Sequence, residues 1–445
     1  MIHIKFTPLF ESILNHNKKS FSSFHTPGHK GNFPVNYDFN TFDLTELPDT
    51  DSLYDANDSI LKSEINASKI FNSKKTIFSA SGCTLCIQTM LKLVCSPGDK
   101  IIADRNSHRS LVNTLGLIDV EPIWVYPEYS KKSVFPGAIN PNDILKILQN
   151  KKDIKAVYIT TPNYFGVVSD IKAITEVCHS FNVPLLIDNA HGSHLYFINN
   201  KFYSDLSSAD LVACSLHKTL PVLTSGAILN INNPKYIKNA KYYMSIFGST
   251  SPSYPVLASI DLCIDWLNNH ADTEFKKLCY TVSDIIKEAN INGIKTPKGI
   301  CDPVRIALDT SSIGITGYDA LNLMHSFKVE AEYASNNSII LIPSPFNTNK
   351  DFQRLKNAIN KLPKFNTENP KYSPIPKTYK KLSIRESMFS DSENINILKS
   401  KGRIASNTIS TCPPGIPLIM PGEVITQEII DFLIREKILY IDVVK

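Results

Sequence analysis

No apolar run in the 445-residue chain approaches the roughly 20 residues that a membrane-spanning helix needs. The best runs, Val183 to Ile187 and Leu211 to Cys214, are far shorter, so no membrane partner is expected. There is no block of basic residues either. Lys+Arg 47 against Asp+Glu 42 leaves a net charge of +5 spread along the chain, which gives little support to a nucleic-acid partner. The first residues, Met1-Ile2-His3-Ile4-Lys5-Phe6-Thr7-Pro8, lack a charged then apolar leader with a small-residue cleavage site, and a cytoplasmic location is expected. Nine cysteines are an odd number, in a chain long enough to need no covalent staples, so free thiols are expected. One pair, Cys83-Thr84-Leu85-Cys86, has redox or metal spacing, but no second such pair exists to complete a tetrahedral site, and no metal is expected. Internal repeats and heptad runs are also missing.

What is present is a chain too long for one core and patterned as α/β. From about residue 75 to residue 230, β-branched and apolar runs alternate with helical periodicity, the pattern of βαβ units and a three-layer, mostly parallel sheet. The expected strands are Lys75 to Ser79, Lys100 to Asp104, Glu121 to Tyr126, Lys155 to Thr160, Val183 to Asp188, Leu211 to Ser215 and Gly226 to Ile231. Thr84 to Val94, Ser107 to Leu115, Asn142 to Gln149 and Ile171 to Phe181 have apolar residues at helical spacing. A long helix is expected from Tyr254 through Trp266 to Ile286. Beyond it lie strands at Pro303 to Leu308 and Ser338 to Ile342, with a helix at Tyr318 to Phe327 between them. These patterns divide the chain into an N-terminal segment 1–40, a large domain 41–291, a smaller α/β domain 292–362, a Pro-rich linker 363–382 and a C-terminal domain 383–445.

Three segments follow predicted strands at their C-terminal ends, where open α/β sheets place ligands. Ser81-Gly82-Cys83-Thr84 opens a helix, so its backbone N–H groups suit a phosphate dianion. Taken alone, an ordinary helix N-cap is the simpler reading. Asp188 ends an apolar strand in Asp188-Asn189-Ala190-His191, where a buried carboxylate needs a cationic partner unless it merely caps the next loop. Lys218, in Ser215-Leu216-His217-Lys218, stands where desolvation can turn an ammonium into a nucleophilic amine, although a lone lysine is more often a solvated surface residue. Together, phosphate cradle, strand-end carboxylate and lysine meet the requirements of pyridoxal 5′-phosphate: a lysine for its aldehyde, a carboxylate for its ring nitrogen and donors for its phosphate.

At this point the chain resembles the bacterial ornithine/lysine/arginine decarboxylases of the aspartate-aminotransferase fold (pyridoxal-phosphate fold type I), in the short form without an N-terminal wing domain. The resemblance runs from His25 nearly to the C-terminus. It rests on His25-Thr-Pro-Gly-His-Lys-Gly31, Thr45-Glu-Leu-Pro48, Arg105-Asn-Ser-His108, Gly166-Val-Val-Ser-Asp170, Ser215-Leu-His-Lys-Thr-Leu-Pro221, Thr250-Ser-Pro-Ser-Tyr254, and Pro413-Pro-Gly-Ile-Pro417 with Pro421-Gly-Glu423. It implies that Lys218 is the Schiff-base lysine, Asp188 the partner of the pyridine nitrogen, and His108 the imidazole stacked on the ring. Ala190 would pack on the opposite ring face, His191 would join the cofactor site, and Ser215 and His217 would approach the phosphate beside Gly82, Cys83 and Thr84. The family's Gly-Ser-Thr is Gly82-Cys83-Thr84 here, the acidic residue after the pyridine Asp is Asn189, and Asn407 and Cys412 replace a Glu and a Tyr.

The expectation is α-decarboxylation of a basic amino acid, arginine or lysine first and ornithine next, giving agmatine, cadaverine or the corresponding amine of polyamine biosynthesis. Another enzyme of the same fold, an aminotransferase or aldolase-like lyase, and a non-catalytic cofactor-binding protein are the alternatives. The resemblance also implies at least a homodimer with sites completed by the partner chain. His25, Glu46 and Asp51 are then candidate substrate contacts. Cys83 and Cys86 are expected to be neutral packing thiols, since a thiolate would repel the phosphate.

Overall fold

The computed structural model describes residues 8–33, 39–130, 133–198, 203–365, 376–410 and 417–445. Pro370 and Pro374 of the expected linker, Cys412, and Pro413 to Ile416 lie outside them. A helix, Pro8–Lys18, leads into a short strand β1 (Ser22–Phe24) and, further on, a helix Ser59–Ile70. Seven strands then follow: β2 (Lys75–Ser79), β3 (Lys100–Asp104), β4 (Glu121–Val125), β5 (Ile154–Thr160), β6 (Leu185–Asp188), β7 (Leu211–Cys214) and β8 (Ala227–Ile231). They form one sheet in the order β2-β8-β7-β6-β5-β3-β4. Neighbours from β7 through β4 run parallel, while β8 pairs antiparallel with both β7 and β2.

Alternate residues of each strand enter different cores, as a pleated strand buried on both faces requires. Ile102, Val157, Ile159, Leu185, Ile187 and Val212 face one side, packed by helices Pro141–Asn150, Ile171–Ser180 and the long Tyr254–Ile291. Ile101, Ala103, Ala156, Tyr158, Leu186 and Ala213 face the other, covered by helices Gly82–Val94 and Arg109–Ile118. Each fully buried branched or aromatic side chain contributes about 1.5–3 kcal/mol, so this double burial dominates the fold.

Among the boundaries that differ from the sequence expectation, three in the sheet domain have a clear local reason. Val183 closes the preceding helix through its N–H to Cys178 O (3.0 Å), and β6 starts only after Pro184, which has no N–H to give a ladder. Gly226 closes a turn through its N–H to Leu223 O (3.0 Å) rather than opening β8. Helix Arg109–Ile118 begins two residues late because His108 is its N-cap.

Beyond the long helix, β9 (Ile306–Asp309), β10 (Val329–Ala331), β11 (Tyr333–Ala334) and β12 (Ser338–Leu341) form smaller pairings, with β12 between β11 and β9. The expected strand at Pro303 starts at Ile306, because Asp302 to Arg305 turns through Arg305 N–H to Asp302 O (3.2 Å). The N-terminal β1 pairs in parallel with β10, a contact across three hundred residues that periodicity could not register. Near the C-terminus, strand Ser392–Asn396 pairs with Tyr440–Val444 over an apolar cluster that includes Ile419, Ile429, Leu433 and Ile441. That unit is tied to the sheet by Arg105, whose buried guanidinium donates to Pro417 O (2.7 Å) and Leu418 O (3.3 Å) and pairs with Glu423 (3.2 Å). No described helix is long and apolar enough to cross a membrane.

Candidate active site

The C-terminal ends of β5, β6 and β7 and the first turn after β2 open into one cavity of about 190 Å³. Gly82, Cys83, Thr84, His108, Asp188, Ala190, His191, Ser215, His217 and Lys218, all singled out in the sequence, line it. Asn106, Thr160 and Tyr164 line it too and were not anticipated.

Gly82 has φ +76°, the left-handed conformation a strand-to-helix turn demands and glycine adopts without strain. Ser81, the N-cap of helix Gly82–Val94, makes no side-chain bond to the helix; Gly82 N–H goes to Ser225 O (2.7 Å), and the amides of Cys83 and Thr84 are left for an anion. Cys83 and Cys86 are buried; burial pushes the Cys83 thiol well up and the Cys86 thiol to about 12, so both are neutral. Asp188, 1% exposed, accepts from Ala190 N–H (3.0 Å) and Tyr158 Oη–H (3.1 Å), and no described cationic side chain reaches ion-pair distance. Burial pushes its carboxyl above the ordinary carboxylate value, partly offset by Lys218, Ala190 N–H and Tyr158.

His108 Nδ1 accepts the Ser110 N–H at 3.1 Å, which leaves the ring proton on Nε2. Burial, then the charges of Lys218 and Arg109, lower its pKa to about 3, and the imidazole is neutral. Burial likewise lowers His217 to about 4; its Nδ1 lies 3.2 Å from Ser215 Oγ. Lys218 Nζ sits 2.9 Å from His191 Nε2. Burial lowers its pKa from the ordinary lysine value, Asp188 opposing.

These residues fit pyridoxal 5′-phosphate on their own chemistry. A buried carboxylate short of a cation suits a protonated ring nitrogen, uncapped helix amides suit a dianion, and a desolvated amine suits an aldehyde.

The remaining candidates stand elsewhere. Asp51, expected as a substrate contact, does not line this cavity. Its carboxylate is saturated by the N–H groups of Ser52, Asn57, Asp58, Ile60 and Leu61, and anchors the start of helix Ser59–Ile70. Burial opposes its ionisation, but those backbone bonds hold its pKa at about 2. Glu46 does not line the cavity; its carboxylate accepts the Thr45 hydroxyl at 2.5 Å. His25 is also outside the lining, with Nδ1 2.5 Å from Thr26 O. Asn189 is a core residue: its amide donates to Thr161 O at 2.8 Å and is fully buried. Asn407 bonds Asp442 at 3.1 Å on the C-terminal unit. Arg305, buried and bonded to His191, escaped sequence reading, although a cation opening an otherwise apolar strand was a signal.

Comparison with known proteins follows the same lines. Residues 7–290 match the family described as Orn/Lys/Arg decarboxylase, major domain, and residues 363–437 its C-terminal domain. The arginine decarboxylase of Bacillus subtilis (strain 168) is 30% identical, over 96% of this chain and 93% of its own length. The constitutive lysine decarboxylase of Escherichia coli (strain K12) is 22% identical, over 96% of this chain and 77% of its own. The solved lysine decarboxylase A from Pseudomonas aeruginosa superposes with a TM-score of 0.78 at 17% identity, over 98% of this chain and 80% of that one. The fold and cavity thus define a type I α/β enzyme with a mostly parallel sheet. The chain belongs to the Orn/Lys/Arg decarboxylase family, which makes it an amino-acid decarboxylase, a carboxy-lyase, and implies pyridoxal 5′-phosphate as cofactor.

Proposed function

We propose that this protein removes the α-carboxylate of a basic amino acid with bound pyridoxal 5′-phosphate, taking arginine first, then lysine and ornithine, and releasing the amine and carbon dioxide. The observation that carries the reading is the meeting of Lys218 and the unpaired, buried Asp188 in one cavity. Arginine stands first because the Bacillus arginine decarboxylase is 30% identical along nearly its whole length, against 22% for the E. coli lysine enzyme.

When bound, the cofactor supplies an electron sink for the bond from the α-carbon to the carboxylate. Lys218 Nζ would anchor its aldehyde and, once displaced by the substrate amine, would stand in the cavity as a free amine. Asp188 would hold the ring nitrogen protonated, the ion pair offsetting the cost of burying both charges. First-turn amides of Cys83 and Thr84, with Ser215 and His217, would hold the phosphate. His108, neutral and with its proton on Nε2, and Ala190 would flank the ring. Either His108 Nε2 or Lys218 Nζ delivers the proton that replaces the lost carboxylate at the α-carbon. The proposal includes a homodimer whose sites are completed across the interface by residues 1–40 and Glu46, and the domain division 41–291, 292–362 and 383–445.

The test is release of labelled carbon dioxide from carboxyl-labelled arginine, lysine and ornithine. Release with the matching amine is expected; formation of an oxo acid without carbon dioxide would overturn the reading in favour of an aminotransferase. The shared site has its own test. Mixing inactive Lys218→Ala with inactive Glu46→Ala should restore up to about a quarter of full activity if subunits exchange at random in a two-fold dimer. No recovery after proven exchange would refute it.

A further inference from the structure

Behind Lys218, a chain of buried polar side chains crosses from the sheet to the turn before β9. Lys218 Nζ lies 2.9 Å from His191 Nε2. On the other side of that ring, Arg305 Nη2 lies 3.3 Å from Nδ1 and also donates to His191 O at 3.2 Å. Arg305 Nε faces Asp302 Oδ2 at 3.9 Å, and Asp302 Oδ1 meets His194 Nε2 at 2.9 Å. His191 is 8% and Arg305 4% exposed, so both sit largely out of bulk water. Two features hold the geometry. Gly166, at φ +90°, lets Arg305 lie against the backbone where a Cβ would stand 2.8 Å from its Cβ and Cγ. The ring of Tyr164 meets that of His191 edge-on, with centroids 5.1 Å apart at 85°.

Donor and acceptor chemistry then fixes the proton. A guanidinium only donates, so His191 Nδ1 must carry a lone pair. A neutral imidazole with its lone pair on Nδ1 has its hydrogen on Nε2. That hydrogen points at Lys218 Nζ, which can accept it only as an uncharged amine, since an ammonium has no lone pair. We propose that Arg305 is a positioning residue that locks His191 as the Nε2–H tautomer, and that this lock keeps Lys218 as the free amine. Its catalytic meaning rests on the reading of Lys218 as the cofactor-anchoring lysine; the tautomer itself does not.

The other charges around the pair agree in part and oppose in part. Burial, the largest effect, and Arg305 disfavour the ammonium of Lys218, while Asp188 and Glu332 favour it. His191 also faces His108 and His217, both neutral, and burial with the charge of Arg305 keeps it neutral. Without the lock, His191 Nε2 is free to turn acceptor and stabilise the ammonium.

The experiment uses the full-length, cofactor-free protein. Nitrogen-15 histidine spectra, with His191 assigned by its loss in His191→Phe, report the tautomer directly. Competitive acetylation by acetic anhydride, followed by mass spectrometry across pH, reports the fraction of Lys218 that is free amine. The expected result is an Nε2–H His191 and a Lys218 that acetylates at lower pH than surface lysines. Arg305→Met should release the tautomer and slow acetylation of Lys218 near neutral pH about tenfold, one pKa unit, while Arg305→Lys should keep most of the effect. With Phe at position 191, Arg305→Met should change the rate less than about twofold, because the lock acts through the ring. An Nδ1–H His191 in the unmodified protein would overturn the proposal, and that spectrum decides even if Arg305→Met does not fold. Equal slowing with and without His191 would also overturn it, showing a through-space charge. A correct tautomer and a reactive Lys218 in a protein that never binds pyridoxal phosphate would instead refute only the cofactor reading.

Discussion

Asp51 and Asp188 are both buried carboxylates at the start of a turn, and they do opposite things. Asp51 has its oxygens filled by five backbone N–H groups, and its pKa is held at about 2. Asp188 has one amide and one phenol, and burial pushes its pKa up. The first is a finished structural knot. The second is an acid whose charge is still to be matched, which is what a site built for a cationic ring nitrogen requires. Burial of an acid alone therefore says little about function; the count of hydrogen bonds already spent on it says more.

Asp188→Asn breaks this contrast most severely. Carbon dioxide release should fall at least about a hundredfold, while the urea midpoint of the cofactor-free protein stays the same or rises, because a poorly compensated buried charge has been removed. Near-normal turnover would sink the assignment. Gly28→Ala tests whether the backbone carrying Lys218 must be fixed as firmly as the acid. Gly28 N–H bonds His217 O at 2.7 Å, and a Cβ there would lie 2.6 Å from Leu220 N and O and Thr219 C. A loss of about 1–3 kcal/mol in urea unfolding, together with a lower kcat, is expected; unchanged stability would mean that the segment yields easily.

Asp51→Asn should cost about 2 kcal/mol at pH 7 and leave kcat within about twofold where the variant is folded. The sign follows from a carboxylate depressed from 3.8 unfolded to about 2 folded. Its stabilisation is present above pH 4 and is lost as pH falls through about 2, so the curves of variant and parent should converge in acid. A gap independent of pH would point away from the carboxylate. The smallest effect is expected for Cys83→Ser, under about threefold in activity, because backbone amides rather than the side chain face the phosphate. A large gain or loss would show that the thiol matters to the site.

Much of this was legible in the chain. Strand-end positions of Asp188 and Lys218 follow from apolar runs that stop at a polar residue, and Gly82 follows from the turn it permits. Local chemistry of that kind is written in adjacent residues. The anchoring of helix Ser59–Ile70 by Asp51 was not legible because its five partners are backbone groups, which have no signature in side-chain identity. Arg305 was missed because its contact with His191 spans 114 positions.

The sequence by itself determined the alternation of strands and helices, the motif-bearing turns and the residue types gathered at the cavity, because periodicity and turn chemistry are local. Tertiary structure alone decided which buried acid is spent and which is available, where β1 pairs, and which nitrogen of His191 bears its proton. Those outcomes depend on hydrogen-bond partners brought together from distant parts of the chain, and a donor or acceptor is used up only when its partner arrives.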